Sequence, residues 1–221
     1  MSEKKKELVS LIIGLAGAFL GLYGVISFNR FVLMSLPLGL RMVCMIVTYW
    51  LIALVPVIVM LVRKDNFSDY WNTDRIGYQI LTGVLIGIAM SLVLTLVPHL
   101  AGFGEYVDGG KRYTYLWQFA YEFLYCIAAV GLAEEFVFRG FIYNRIKKIG
   151  RSNAAAVIGS SVLFGIFHMF GGNIVQMIMT AFIGAFFCLC KLKIKNCSLL
   201  SLIIAHGIYD ALITVWASVL L

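Results

Sequence analysis

Glu134, Glu135, Arg139, His168, His206 and Asp210 stand out because each polar side chain interrupts an otherwise apolar stretch. A charge at the centre of a bilayer costs roughly 2.5–3.5 kcal/mol on insertion scales. If charged and unpaired there, Glu134, Glu135, Arg139 and Asp210 would together cost about 10–14 kcal/mol. Side chains carrying such a cost face a bundle interior or a wet cavity, and they mark a functional site. Their types suit acid–base chemistry. A carboxylate beside an imidazole can take a proton from water, while further donors hold developing negative charge.

Spacing refines this set. Glu135 and Arg139 are four apart, so on a helix they share a face and can pair, while Glu134 points about 100° away and is left for another partner. Phe164 and His168 share one face of a helix, as do His206 and Asp210. Other hydrolytic designs fit less well. No histidine begins an H-E-x-x-H zinc helix, and Asp210 has no second intramembrane aspartate for a dyad. Ser160 and Ser161 lie upstream of His168, but neither sits in a G-x-S-x-G elbow. Three alternatives stay open: Glu134, His168 and His206 as ligands of a divalent metal, a buried structural salt bridge, and a transporter's proton relay.

The elements that must carry these residues are membrane spans. A chain of 221 residues, 62% hydrophobic and 13% charged, is no soluble globular domain. It has room for about seven helical spans and little else. The expected fold is an all-α polytopic membrane protein forming a single domain, residues 1–221. Residues 1–112 would form three scaffold spans, and residues 113–221 a catalytic core of four. The formal charge of +7 comes from short basic clusters between apolar runs, a pattern of membrane topology and not of nucleic-acid binding.

Lys4–Lys6 precede an uncharged run, Leu8 to Phe28, too long for a secretory signal and expected to be a retained first span. Gly14, Gly17, Gly21 and Gly24 give it a smooth ridge for close helix contact, as Gly83 and Gly87 do in the third span. Pro56 is expected to kink the second span. Phe67, Tyr70 and Trp71 suit an interfacial belt. The five cysteines fall mostly in apolar segments and read as small hydrophobes, with neither disulfide nor metal spacing.

Alternating the spans places 13 Lys and Arg on the side of the N-terminus, in the clusters at 4–6, 63–75, 145–151 and 191–195. Only Arg30, Arg41, Lys111 and Arg112 fall opposite. This asymmetry predicts a cytosolic N-terminus and an external C-terminus. It also sets depth. With Arg145 at the inner surface, Glu134 lies about 16 Å deep; counted from Asn153 and Cys197, His168 lies near 22 Å and His206 and Asp210 at roughly 13–20 Å. The site residues thus share one layer of the bilayer.

Glu134-Glu135-x-x-x-Arg139, Phe164-x-x-x-His168 and His206-x-x-x-Asp210 resemble, in order, the three motifs of the CaaX protease and bacteriocin-processing (Abi) family, related to the type II CaaX prenyl endopeptidase. The resemblance spans about Gly131 to Ala211. It implies a glutamate-type intramembrane endopeptidase opening toward the cytosol, needing no cofactor, with a peptide or membrane-protein segment as substrate. On that pattern Glu134, helped by His168, would deprotonate the attacking water. His206 and Asp210 would stabilise the oxyanion, and Glu135, Arg139 and Phe164 would support them. Eukaryotic members have asparagine where this chain has Asp210. The compact loops and absence of organelle signals point to a bacterial plasma membrane. The contrasting expectation is a non-catalytic immunity or scaffold protein.

Overall fold

A computed structural model describes residues 2–107, 110–170 and 172–220. Asp108 and Gly109, near the end of the expected scaffold segment 1–112, lie outside the described set, as do Met1, Gly171 and Leu221. Among the described residues all regular structure is helical. Seven helices are long and apolar enough to cross a membrane: α1 Glu3–Ser35, α2 Leu38–Arg63, α3 Ile76–Phe103, α4 Leu116–Gly150, α5 Asn153–Phe170, α6 Ile174–Lys193 and α7 Leu199–Leu220. The expectation of seven spans holds. α1 runs past the expected Phe28 to Ser35, and α2 begins close behind it at Leu38.

α4 is the hub. Its stretch Ala133 to Tyr143 is buried throughout, and around it pack α1, α2, α5 and α7. α7 also pairs with α3, and α5 with α6. The glycine ridges do what their spacing predicts. Gly17 and Gly21 seat Val55 and the backbone at Leu51 of α2, while Gly83 and Gly87 lie against the carbonyls of Ser201 and Ala205 on α7. A further pair sits beside the carboxylates. A Cβ on Gly131 would come within 2.5 Å of the Ile203 carbonyl, and one on Gly207 within 2.5 Å of the Ile127 backbone. Only hydrogen side chains let α4 and α7 approach so closely there.

Two departures from regular helix shape the interior. α4 is α-helical over Leu132–Glu135 but π-helical on both flanks, at Cys126–Gly131 and Phe136–Ile142. Widened turns of this kind re-aim side chains and disturb the regular carbonyl ladder. In the second stretch the Arg139 carbonyl accepts from Lys191 Nζ at 3.2 Å, and the Gly140 carbonyl from Asn144 Nδ2 at 2.6 Å. The other departure is in α2, which breaks at Trp50 and not at Pro56. Leu38–Tyr49 and Leu51–Arg63 are separate helical pieces, and Pro56 lies inside the second. Trp50 Nε1 donates to the Ala128 carbonyl at 2.8 Å, which anchors the break against α4.

The basic end of the bundle is sealed. Arg145 is fully buried, donating to Glu7 Oε2 at 2.6 Å and to Asp65, while Arg63 reaches Glu7 at 3.1 Å and Glu3 at 3.2 Å. The expected interfacial belt of Phe67, Tyr70 and Trp71 instead folds inward. Tyr70 is 6% exposed, and Trp71 stacks on Phe136 with ring centroids 6.4 Å apart. Burial beside Asp65 pushes the Tyr70 phenol up to about 12. The loop carries enough apolar surface to bury itself, so it closes the bundle where a belt would have stayed exposed.

Candidate active site

Every site residue expected from the sequence converges on one buried cluster. Glu135 is fully buried, and its Oε1 accepts from Arg139 Nη1 at 2.9 Å and from His206 Nδ1 at 2.8 Å. The Arg139 guanidinium lies 4.1 Å from the Phe164 ring centroid and 5.4 Å from that of Phe187. These faces receive the charge that Glu135 does not cover. Phe164 also edges His168 at 4.5 Å and His206 at 6.1 Å, so its ring fixes both imidazoles.

Glu134 is 2% exposed and turned to the other side. Its Oε1 accepts from Tyr49 Oη at 2.5 Å. Its Oε2 has no hydrogen-bond partner within the protein, but stands 3.7 Å from His168 Nε2 and 3.8 Å from His206 Nε2. His168 Nδ1 lies 2.9 Å from the Phe164 carbonyl. A carbonyl only accepts, so Nδ1 carries hydrogen and a neutral His168 turns the lone pair of Nε2 toward Glu134. Two acceptors thus face each other across 3.7 Å.

His206 occupies the centre. Nδ1 faces Glu135, and Nε2 faces Asp210 Oδ2 at 3.3 Å. Both ring nitrogens meet carboxylates, so both donate when the ring is an imidazolium. Asp210 is the more open of the pair, with its side chain 29% exposed against 7% for His206, and His168 is 21% exposed. Toward Arg145 the chain is packed solid. The cluster is therefore most exposed at His168 and Asp210.

Sequence reasoning missed Tyr49. It is one aromatic among many in an apolar span, and it is held in place by Tyr125, whose ring centroid lies 6.0 Å away at an edge-on angle. It also missed Glu122, a buried carboxylate of α4. This residue accepts from Lys111 Nζ at 2.6 Å and Tyr113 Oη at 2.9 Å, and thereby pins the α3–α4 loop to the helix. Burial and Glu122 raise the Tyr113 phenol above its ordinary value. Among the described residues, no group of three or more His, Cys, Asp or Glu has the arrangement of a metal site.

An all-helical bundle of seven apolar spans, with carboxylates and imidazoles gathered on neighbouring helices, defines an integral membrane protein. Residues 116–212 match the family model described as type II CAAX prenyl endopeptidase Rce1-like, so this segment is similar to that family. The match runs from the start of α4 into α7 and holds all seven residues expected at the site. Comparison with curated proteins and with solved structures returned no match.

Proposed function

We propose that the chain is an intramembrane endopeptidase in which Glu134 acts as general base on water. The observation that carries this reading is Glu134 Oε2, buried and free of protein donors within 4 Å of two imidazole nitrogens. Water bridging Oε2 and His168 Nε2 gives up a proton to Glu134 as its oxygen bonds to the scissile carbonyl carbon. The carbonyl π electrons move to oxygen, and the His206 Nε2–H, which faces Asp210 at rest, turns to hold that charge. Glu134 then returns the proton to the leaving amine nitrogen as the C–N bond breaks. Glu135 and Arg139 keep His206 oriented, and Asp210 balances its charge. The family match supports a peptide or membrane-protein segment as substrate.

The test is cleavage of a diverse peptide library by detergent-purified protein, with Glu134→Gln alongside and new termini read by mass spectrometry. Cleavage by wild type and a fall of at least about 100-fold in the variant is the expected result, given what general bases contribute. Equal cleavage by both removes Glu134 as base. Chelator treatment, expected to leave the rate unchanged, separates this mechanism from one in which Glu134, His168 and His206 hold a divalent metal. Loss of activity restored by added zinc would favour the metal. We further propose the orientation set by the basic clusters, with the N-terminus cytosolic.

A further inference from the structure

Tyr49 lies in α2, outside the family-matched segment 116–212, yet it makes the shortest hydrogen bond to Glu134. We propose that Tyr49 is a positioning residue for the general base, supplied to the site by the N-terminal half of the chain. This rests on the hydrolase reading of Glu134. A carboxylate can rotate about its last bond and present either oxygen. The phenol takes Oε1 and so leaves Oε2 as the oxygen facing His168 and His206. A bond from a hydroxyl to an ionised carboxylate is among the stronger hydrogen bonds, which makes this choice of oxygen durable.

The surroundings leave Tyr49 little other use. Its hydroxyl bonds to Glu134, its ring packs edge-on against Tyr125, and Trp50 beside it anchors to the Ala128 carbonyl. The groups facing Glu134 are Tyr49 from α2, His168 from α5 and His206 from α7, with Tyr125 of α4 behind Tyr49 and Asp210 of α7 beyond His206. Of these, Tyr49 alone is hydrogen-bonded to Glu134 among the described contacts.

Tyr49→Phe removes the hydroxyl and keeps the ring. The expected result is a kcat lower by about 10- to 100-fold at unchanged KM, the loss that fits a hydrogen bond to a charged group. Tyr125→Phe, which leaves the Tyr49 hydroxyl in place, is expected to match wild type. The carboxylate stretching band of Glu134, isolated by isotope-edited infrared spectroscopy, should shift in Tyr49→Phe and not in Tyr125→Phe. A Tyr49→Phe protein of wild-type thermal stability with both kcat and the band unaltered overturns the proposal. If wild type cleaves nothing but the band still shifts, the hold on Glu134 stands and the hydrolase reading is the one that falls.

Discussion

Asp210 separates a role of charge from a role of shape. Its Oδ2 lies 3.3 Å from His206 Nε2, a position an asparagine oxygen could also take. Asparagine would keep the acceptor and remove the negative charge that steadies an imidazolium. A charge-assisted hydrogen bond is roughly twice as strong as a neutral one, so Asp210→Asn should lower kcat about 10-fold with the protein's stability unchanged. Measured at one pH beside wild type, an unchanged kcat would mean that Asp210 serves only as a neutral partner. Arg139 is a matter of stability instead. Removing it leaves Glu135 buried with His206 as its only remaining partner. Arg139→Leu should therefore lower stability by about 3–5 kcal/mol, read from thermal unfolding in detergent. Arg139→Lys should fall between, since an ammonium keeps the charge but cannot stack its plane on Phe164.

At the scale of elements, the closest approach of α4 and α7 decides whether Glu135 can reach His206. Gly207→Leu would drive a side chain into the Ile127 backbone and push the helices apart. It should cost about 1–3 kcal/mol or more by overpacking and abolish cleavage, the first read by unfolding and the second by the library assay. How the site residues were found, and how some were lost, follows from periodicity. The pairs Glu135–Arg139, Phe164–His168 and His206–Asp210 were readable because each lies at helical spacing within one element, and charge inside an apolar run is conspicuous. The seven spans were readable for the same reason. Tyr49 was not, because its partner is 85 residues away and an aromatic in an apolar span carries no signal of polarity. The π turns of α4 were hidden too, since no residue type demands them. The inward folding of Tyr70 and Trp71 depends on Phe136, a contact between elements that no local pattern encodes.

The molecule as a whole is held together at its basic end. Glu7 of α1, Asp65 after α2 and Arg145 of α4 join three elements through one buried guanidinium. Arg145→Met would leave Asp65 without a cation and Glu7 with Arg63 alone, and should destabilise the fold by about 3–5 kcal/mol while leaving the residues around Glu134 untouched. The expected signature is a lower unfolding temperature with near wild-type kcat at temperatures where the variant remains folded. Orientation in the membrane can be read with single cysteines. Cys126, Cys188, Cys190 and Cys197 are buried, and burial pushes the Cys197 thiol up to about 12, so engineered loop thiols would dominate labelling. A cysteine replacing Lys148 should react from the cytosolic side only and one replacing Lys111 from the external side only. The reverse pattern would overturn the assignment.

The break at Trp50 carries one more consequence. None of the residues of Leu38–Tyr49 is buried, whereas the piece that follows it buries Ile52, Pro56 and Met60. With so few packed side chains this half-helix opens more easily than Leu51–Arg63, so in detergent its amide hydrogen exchange should run faster, with protection rising after Trp50. Because Tyr49 is the last residue of the fast piece, each local opening takes the phenol off Glu134 without disturbing the rest of the bundle. The fraction of time the base is held in its working orientation is then set by the opening equilibrium of twelve residues at the rim, and lipids that order that rim should raise turnover without touching the site.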